Sequence, residues 1–586
     1  MRACLFPSRC MAAAAAVCLS LAATCGHAAD DEPDLILHHG RIVTVDERFT
    51  VTEALAVKDD RITAVGDNAS VLKLAGPDTQ QLDLAGRTVL PGLIDSHVHA
   101  TGASMYEFDH PVPEMDTIAD VLRYIQSRAE TLEDGQWIVV RQVFITRLRD
   151  QRYPTRTELD QVAPNNPVYF STGPDASVNS LALKLNNIDK DFRLPEGSTA
   201  KIERDPETGD PTGIIRSAGQ LIKTGDTGSR NAGDEERRAR LRELLADYNR
   251  AGLTSVADRS ASPDGIALYK ELRDRGELTC RVFLSHRLEP GGPLEKIETR
   301  IRQIAADPLH EYDNRLWLRG IKVFLDGGML TGSAYMRQPW GVSRIYSITD
   351  PGYRGLLYIE PDRLYQIAKL ALANDLQMTA HSVGDGAVHA LIDAYERIDR
   401  EDFPVRERRP CITHCNFMSR EAIDRMRSLG VVADLQPAWL WLDGATLRKQ
   451  FGDERLAYFQ PYRSLFEAGV VAGGGSDHMQ KIGSLRSVNP YNPFLGMWIA
   501  LVRQPRWTDR PLAPEQRISR EQAIRLYTTN NAWLTFEEQH KGSLEPGKLA
   551  DLIVLDRDIL TCPIEEVKEI EVLRTYLGGR LVHGGN

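Results

Sequence analysis

The sequence is short of positive charge. Its 586 residues contain 71 Lys and Arg against 82 Asp and Glu, which gives a formal net charge of −11. Nucleic acid is excluded as a partner, because binding it requires a basic stripe and none is present. With 42% hydrophobic and 26% charged residues the composition is ordinary for a soluble globular protein and argues against disorder. At this length the chain can hold a large core and a second domain.

Cysteine is also scarce, and its spacing argues against a disulfide framework. Four of the eight cysteines stand in the first 28 residues, which leaves Cys280, Cys411, Cys415 and Cys562. Cys411 and Cys415 are four positions apart in one predicted strand, or about 13 Å at ~3.3 Å per residue, whereas a disulfide needs Cα atoms within about 7 Å. In a regular strand both thiols lie on the face opposite His414, so we expect them to pack against the outer helices.

The N-terminal segment offers no comfortable membrane span. Arg2 and Arg9 precede the run MAAAAAVCLSLAATC, which is too short, and GHA, ending at Ala28, provides small residues for cleavage. We predict a signal peptide over residues 1–28 and a periplasmic or secreted mature protein without a stable membrane anchor. A retained anchor is the alternative, although Cys25 lacks a convincing lipobox before it.

Strand-like patterns fill both ends of the remaining chain. From Leu35 to about Leu90, LILHHGRIVTVD, ALAVKDDRITAVGD and QLDLAGRTVLPG alternate or run apolar, with Gly or Asp where the chain must turn. The same pattern returns in KLADLIVLD and RTYLGGRLVHGG near the C-terminus. We predict a β-sandwich formed from both termini, with residues 29–90 and 536–586 as its two parts. His38 and His39 fall in this domain, where we interpret them as surface or strand histidines.

Eight short apolar strands, mostly followed by helical patterns, lie between Pro91 and about Ala532. This alternation is typical of an α/β fold of the (β/α)₈ or TIM-barrel type, to which we assign residues 91–535. The active site of such a fold lies at the C-terminal ends of the strands. In order, the predicted strands are GLIDSHVH, TSVADRS, RVFLSHR, GIKVFLDG, QMTAHSVGD, PCITHCNF, VVADLQP and VVAGGGSDH.

Candidate metal ligands stand at the ends of five of these strands. His97 and His99 are alternate residues of one strand, so both imidazoles point to the same face and can bind one ion. Alone, an H-x-H pair is a weak signal. Its weight comes from placement, since scattered core histidines would show no preference for strand ends. The further candidates, at the ends of strands 4, 5, 6 and 8, are Lys322, His381, His414 and Asp477.

Two long segments interrupt the barrel rhythm. The stretch between His99 and Thr254 far exceeds the usual loop of about 2 to 6 residues. We predict an inserted subdomain over about residues 101–250 that overhangs the strand ends and shapes the pocket. A second long loop, rich in Gly and aromatic residues, follows Lys322. We interpret it as a candidate lid that contributes Arg337 and Trp340 to substrate binding, although an ordinary surface loop explains either residue equally well.

The motifs PGLIDSHVH, IKVFLDGG, HSVGD, ITH and GGSD, closed by GSLEPGKLADLIVLD, resemble the amidohydrolase superfamily. The resemblance runs from about Leu35 to the end and points to amidohydrolase family 3, the branch that includes N-substituted formamide deformylases. It implies a barrel, a β-sandwich made from both termini, and one or two divalent metals, commonly zinc.

The resemblance also implies a role for each candidate ligand. His97, His99 and Asp477 would bind the more buried metal. His381 and His414 would bind a second one.

Lys322 would be carboxylated and bridge the two metals. A free ammonium in an apolar barrel strand would suffer desolvation and repulsion from cations. A carbamate carries a negative charge instead, so the same cations would attract it. The alternative is a lysine turned outwards or paired with Asp326.

The sequence departs from the family pattern in two places. Family members often carry a Gly-His pair shortly before an Asn-Ser in the inserted subdomain, but here the text is GPDASVNS, with Pro174 in place of the histidine. Asn179 remains as a candidate for the pocket wall. HSVGD lacks the His-x-x-Glu pairing of the related purine and pyrimidine deaminases, which argues against a deaminase. We therefore interpret Asp385 as a partner of a metal ligand or as a helix cap.

These assignments predict a metal-dependent hydrolase that cleaves a non-peptide C–N bond in an amide, formamide or lactam. A divalent ion, expected to be zinc, lowers the pKa of bound water from about 15.7 to about 7 and so supplies hydroxide. Asp477 would accept the proton of that water and deliver it to the departing amine. The alternatives are a mononuclear or ester-cleaving hydrolase of the same fold and a non-catalytic metal-binding protein. The partner is a small-molecule substrate, and the chain is a candidate homo-oligomer.

Overall fold

The computed structural model describes residues 32–173, 175–195, 198, 200–216 and 218–585. The predicted signal peptide and Pro174 lie outside these residues. Within them, none of the helices is at once long and apolar enough to cross a lipid bilayer.

Eight parallel strands form the predicted barrel, each paired with its neighbours in sequence order. One face of each strand meets the barrel interior and the other meets the helices, which explains why the sequence shows continuous apolar runs rather than strict alternation. The strands are β1 (Leu93–Val98), β2 (Leu253–Ala261), β3 (Arg281–Arg287), β4 (Leu316–Phe324), β5 (Gln377–Ser382), β6 (Cys411–His414), β7 (Val432–Leu435) and β8 (Ala472–Gly474).

The seam between β8 and β1 is closed just beyond the end of β8. Val98 forms a parallel bridge with His478. On either side of it, the Asp477 N–H donates to His97 O and the His99 N–H donates to His478 O, both at 2.8 Å. The barrel is thus closed by the backbone of the two segments that carry predicted metal ligands.

Helices cover the outside of the barrel, and their ends follow local capping signals. Ser262 and Ser419 accept hydrogen bonds from the N–H groups of Gly265 and Ala422, and Gly430 ends a helix in the left-handed conformation at φ 68°. The helices that accompany the barrel are Asp234–Arg250, Pro263–Asp274, Leu294–Ala305, Pro361–Ala373, Asp385–Glu401, Arg420–Leu429, Pro437–Arg455, Tyr462–Ala468, Pro493–Val502, Arg520–Leu526 and Thr529–Leu534.

Two sheets form the predicted sandwich from both ends of the chain, and apolar side chains of both sheets share one core. The first sheet is N-terminal throughout and has the order Arg61–Gly66, Ala54–Lys58, Leu35–His38 and Gln80–Asp83. The second mixes both termini in the order Arg580–His583, Val572–Leu577, Leu552–Leu555, Thr88–Pro91, Arg41–Val43 and Val51–Thr52.

A buried ion pair joins the sandwich to the barrel. Arg281 of β3 donates from Nε and Nη2 to the two oxygens of Asp551 at 2.7 and 2.8 Å. Both residues are almost fully buried, and the Gly578 N–H also donates to Asp551. The bidentate geometry makes this contact strong and directional.

The segment between β1 and β2 forms a subdomain with hydrophobic clusters of its own. Its helices are Ala100–Met105, Ile118–Ala129, Arg156–Val162 and Ser180–Leu185. Its five-stranded sheet has the order Lys201–Arg204, Pro211–Arg216, Asp175–Val178, Val168–Thr172 and Ile138–Val140. The domain limits assigned from the sequence stay predictions.

Candidate metal centre

Three predicted ligands meet at the C-terminal mouth of the barrel. His97 Nε2 lies 3.3 Å from His99 Nε2 and 3.4 Å from Asp477 Oδ1, and His99 Nε2 lies 3.1 Å from the same oxygen. Ligands held tetrahedrally at a zinc–nitrogen distance of about 2.05 Å are about 3.3 Å from one another. The three donor atoms therefore already have the spacing of three corners of such a site.

A hydrogen-bond network fixes the orientation of His97. Its Nδ1 lies 2.9 Å from Oδ2 of Asp434 in β7. The other oxygen of Asp434 accepts from Ser96 Oγ at 2.6 Å and from Gln436 Nε2 at 3.1 Å. Gln436 also places its Oε1 2.7 Å from Nδ1 of His414. Such partners set the ring orientation and tautomer of an imidazole and leave its other nitrogen for a metal.

His381 and His414 form a second group beside the first. Their ring centroids are 4.5 Å apart, and the ring of His414 stacks 5.2 Å from that of His97. Trp439 also stacks on His414, at 4.6 Å. Rings in direct succession thus connect the two predicted metal-binding groups.

Lys322 points into the barrel interior and is 1% exposed. Within the described part of the chain it has no ion-pair partner. Burial lowers the pKa of Lys322 to about 8, and the charges of Asp434 and Asp477 act in the opposite direction. The lysine is therefore neither turned outwards nor paired with Asp326, whose oxygens accept hydrogen bonds from the N–H groups of Tyr335, Val383 and Gly384.

The barrel interior holds a second cation, Arg259 of β2. It is fully buried, and it donates from Nε to Ser96 O at 2.9 Å and from Nη1 to Gln377 Oε1 at 2.8 Å. Burial raises the pKa of Asp434 to about 6, and the positive charges of Arg259 and Lys322 oppose that rise. The carboxylate that orients His97 is thus itself held by nearby positive charge.

The thiol of Cys411 shares this charged interior. Burial raises its pKa to about 11, and the charges of Arg259, Asp434 and Lys322 all act on it. In the apolar cluster around it, Cys411 packs with Val432 of β7 and with Leu534 of the helix Thr529–Leu534, as predicted for a buried thiol beside the helices. His414 has a left-handed φ of 82°, which breaks the regular two-residue alternation at the end of β6.

Burial keeps three histidines of the cluster, His97, His381 and His414, neutral. Burial, followed by the positive charge of Lys322, lowers the pKa of His97 well below its ordinary range and that of His381 to about 3. Burial and the neighbouring His381 lower the pKa of His414 in the same way. Neutral imidazole is the form that binds metals, so three of the four histidines are in the state that a divalent ion requires.

Asp477 is fixed from the side of the inserted subdomain. Its backbone is left-handed at φ 56°, a conformation that costs a non-glycine residue of order 1 kcal/mol and occurs at functional sites. Asn489 Nδ2 donates to Asp477 O at 2.7 Å and lies 3.4 Å from its Oδ2. Arg147 Nη1 donates to Asn489 Oδ1 at 2.9 Å, while its Nε and Nη2 bind Asp443 at 2.9 and 2.7 Å. The subdomain therefore reaches a predicted ligand through two side chains.

The predicted substrate contacts make other interactions. The Asn179 Oδ1 accepts from Val168 N and Ala182 N, and its Nδ2 donates to Ala163 O and Asn166 O. The amide is therefore fully used inside the subdomain and has no free polar atom for a substrate.

The residues of the candidate lid also face other parts of the protein. Arg337 pairs with Glu421 at 3.0 Å, and Trp340 is 1% exposed, with its Nε1 donating to Ala334 O at 2.8 Å. Asp385 accepts from the Arg337 N–H at 2.8 Å as the first residue of its helix. Their roles at the site stay predictions, and none of these contacts reaches a predicted ligand.

The structure adds residues that the sequence reasoning missed. Phe324 is 38% exposed, with its ring 5.5 Å from that of His381 and also 5.5 Å from Lys322 Nζ, so it offers apolar surface beside the ligands. It stands two residues after Lys322, and strand parity could have found it. Asp434 was visible as an acidic residue inside the apolar run VVADLQ. Arg147 and Asn489 carry no signal in the sequence.

Known proteins resemble this chain along most of its length. A model of the amidohydrolase family matches residues 80–583. N-substituted formamide deformylase from Arthrobacter pascens is 31% identical over 561 residues, which cover 94% of this chain and 98% of that enzyme.

Solved structures share the fold. A metal-dependent hydrolase from Pyrococcus furiosus superimposes with a TM-score of 0.64 at 22% identity, covering 90% of this chain and 100% of the other. Atrazine chlorohydrolase from Arthrobacter aurescens, crystallised with zinc, superimposes with a TM-score of 0.51 at 16% identity, covering 94% of this chain and 95% of the other.

Proposed function

Because the chain belongs to the amidohydrolase family and is a hydrolase that acts on C–N bonds, we propose that it cleaves a non-peptide amide, formamide or lactam in a small molecule. The observation that carries the proposal is the convergence of His97, His99 and Asp477 at the barrel mouth with the spacing of metal ligands. The formamide deformylase that is 31% identical over nearly its whole length favours a formamide within this class.

The cofactor in this proposal is zinc, as one or two ions per chain. Neutral imidazoles and a carboxylate suit zinc, and a structural neighbour was crystallised with it. A divalent ion, when bound, supplies Lewis acidity that polarises a carbonyl and makes water acidic. In the two-metal form, two groups of residues would hold the ions and a carboxylated Lys322 would link them. The first group is His97, His99 and Asp477, and the second is His381 and His414.

Asp477 is the residue that moves the proton. One of its oxygens faces both imidazoles, at 3.1 and 3.4 Å, and the other is approached by Asn489 Nδ2. A carboxylate in this position can accept the proton of the attacking water and then deliver it to the amine that leaves. Asn489 and Arg147 keep it aimed at the reacting atoms.

Carboxylation of Lys322 is supported by its burial without an ion pair. With a pKa lowered to about 8, part of Lys322 is a neutral amine, which can add CO₂ and release one proton to solvent. The resulting carbamate would bring negative charge to the place where cations gather. The mononuclear alternative rests on one observation. Within the described barrel residues, His97, His99 and Asp477 are the only compact set of three His, Cys, Asp or Glu donors.

The test is a substrate panel of formamides, N-acyl amino acids, lactams and carboxylic esters with the zinc-loaded protein. We expect an amide or formamide to give the highest kcat/KM, with activity lost on chelation and restored by zinc. Higher turnover of esters than of every amide, or activity that survives chelation, would contradict the proposal.

Metal analysis of Lys322→Ala separates the two-metal form from the mononuclear one. We expect the variant to bind one ion fewer than wild type and to lose most activity, with partial rescue by short carboxylic acids that fill the vacated bridge. Lys541→Ala is the control. Lys541 is also buried, but it forms an ion pair with Glu537 at 2.7 Å and is not one of the predicted ligands. Equal metal content in wild type and Lys322→Ala would rule out the bridge.

We also propose that the protein is exported to the periplasm or the medium after cleavage behind Ala28, on the strength of its N-terminal sequence. N-terminal sequencing of the exported protein is expected to begin at Ala29 or within a residue or two. A mature cytoplasmic protein that retains Met1 would contradict this.

A further inference from the structure

A second set of two imidazoles and one carboxylate lies in the sandwich domain. His38 Nδ1 is 2.9 Å from His39 Nδ1, and His39 Nδ1 is 3.4 Å from Asp83 Oδ2. The three donor atoms fall within 4.8 Å of one another, as do those of the set at the barrel mouth. Both measured spacings are close to the edge of about 3.3 Å expected between ligands of a tetrahedral zinc ion.

The backbone produces this convergence in an unusual way. Neighbouring residues of a strand normally point to opposite faces. His38 is the last residue of the strand Leu35–His38, and His39 follows in the left-handed conformation at φ 51°, so the chain turns and the two rings meet. Asp83 is the parallel partner of His38 in the next strand and completes the set.

Hydrogen bonds hold this corner in place. The His39 N–H donates to Asn68 Oδ1, and the Gly86 N–H donates to His39 O, both at 2.7 Å. The left-handed turn is therefore secured on both sides of His39, and its ring keeps its place next to that of His38 without a bound ligand.

The two oxygens of the Asp83 carboxylate have different neighbours. Asp83 Oδ1 accepts from the Ala85 N–H at 2.8 Å, which leaves Oδ2 to face His39. The third donor is thus a carboxylate oxygen that already faces one of the two imidazoles.

One side of the set is fixed and the other is open. His38 is 9% exposed, whereas the side chains of His39 and Asp83 are 53% and 61% exposed. An ion can enter from solvent and keep water as its remaining ligand, as in zinc sites with three protein ligands.

We propose that His38, His39 and Asp83 bind a divalent transition metal such as zinc, independently of the barrel site. The ion would clip the end of the strand Leu35–His38 to the end of the strand Gln80–Asp83. The contacts between these three side chains stay within the sandwich domain, so the ion would act there and not at the barrel mouth.

The experiment compares zinc binding in wild type, His39→Asn and His110→Asn by equilibrium dialysis and metal analysis of the full chain. Asn tolerates the left-handed turn, so His39→Asn removes the imidazole with little strain. His110 is the matched control, because its Nδ1 also lies 2.9 Å from one carboxylate, that of Asp109, but it has no second imidazole beside it.

We expect His39→Asn to bind one ion fewer than wild type, or to bind it more than about tenfold more weakly, since even partners of a ligand contribute 10- to 100-fold. His110→Asn should match wild type. Equal stoichiometry and affinity in wild type and His39→Asn would overturn the proposal. If metal-free His39→Asn melts at a lower temperature than wild type, the loss of the ion could reflect a folding defect. His38→Gln then provides the test, because it leaves the left-handed turn at His39 intact. This variant must lose the same ion if the proposal is correct. Turnover at the barrel site should be unchanged in both variants. A negative result for zinc binding in the sandwich domain would therefore leave the proposed function untouched, and the reverse also holds.

Discussion

Asp477 presents its two carboxylate oxygens to different neighbours, which allows its two proposed roles, metal ligand and proton carrier, to be tested separately. Oδ1 lies against His97 and His99, and Oδ2 lies near the Asn489 amide. Asp477→Asn keeps the shape and one acceptor but cannot hold a proton, so we expect it to retain at least one metal and lose about 10²- to 10⁴-fold in kcat. His97→Asn attacks metal affinity first and should regain some turnover in excess zinc. The measurement is kcat against zinc concentration for both variants, with thermal melting as the check on folding.

A kcat above about a tenth of wild type in fully metallated Asp477→Asn would remove Asp477 as the proton carrier. His478 is the nearest alternative in sequence, but its ring nitrogens already contact Tyr248 OH at 2.7 Å and the carbonyls of Gln480 and Lys481 at 2.9 and 2.8 Å. A replacement base would have to be sought elsewhere.

Single residues were predictable where strand geometry sets their direction. His97 and His99 share a face by parity, and the structure places them 3.3 Å apart. Trp340 lies in a long loop, and Asn179 directly precedes a short helix. At such positions tertiary packing decides which way a side chain points. Both side chains are buried and form hydrogen bonds with neighbouring backbone groups. Sequence alone contains no rule for such directions.

At the scale of elements, the inserted subdomain contacts a residue that itself holds a predicted ligand. Arg147 binds Asp443 with two nitrogens and Asn489 with a third, and Asn489 holds the backbone of Asp477. Arg147→Lys keeps the charge but loses the fork, so Asp477 should shift. Since a misplacement of 1 Å can cost about 10²-fold, we expect kcat to fall 10- to 100-fold with metal content retained and KM little changed.

Arg152→Lys is the control for this prediction, because Arg152 makes a comparable fork to Glu158 in the same subdomain but is largely exposed. Asn489→Ala should reproduce the defect, and the double variant should be no worse than either single one, since both act through the same contact. A kcat for Arg147→Lys within about threefold of wild type would show that the contact is only structural.

Elements were predicted best where composition and period agree. All eight barrel strands were visible as apolar runs, because both faces of each strand are buried. The break at the end of β6 was not predicted, since the left-handed backbone of His414 is invisible to a rule that assumes regular alternation. The Arg147 contact spans more than 340 positions, and no local pattern encodes it.

At the scale of the whole molecule, Arg281 and Asp551 join the barrel to the sandwich through a buried ion pair. Asp551→Asn leaves the guanidinium buried and uncompensated, so we expect a loss of about 3 to 5 kcal/mol in the free energy of unfolding. Urea unfolding checks this. Asp313→Asn, which breaks the more exposed pair with Arg273 at 3.3 Å, should change stability by no more than about 1 kcal/mol. Similar losses in both variants would show that the joint is not special.

The architecture as a whole followed from the sequence because each end of the chain carries the same strand pattern and the middle alternates strands with helices. The ion pair between the barrel and the sandwich could not be predicted from the sequence, since nothing marks Arg281 and Asp551 as partners until the fold brings them together.

The closed seam of the barrel also brings together the two segments that carry His97, His99 and Asp477. The first and last strands meet through the backbones of His97, His99, Asp477 and His478, and 380 positions separate His97 from Asp477. Until those two segments meet, the chain offers an ion only the paired imidazoles of β1 at this place. An ion bound by all three side chains would therefore require the first and last strands of the barrel to be together, and it would connect them through side chains at the place where their backbones meet.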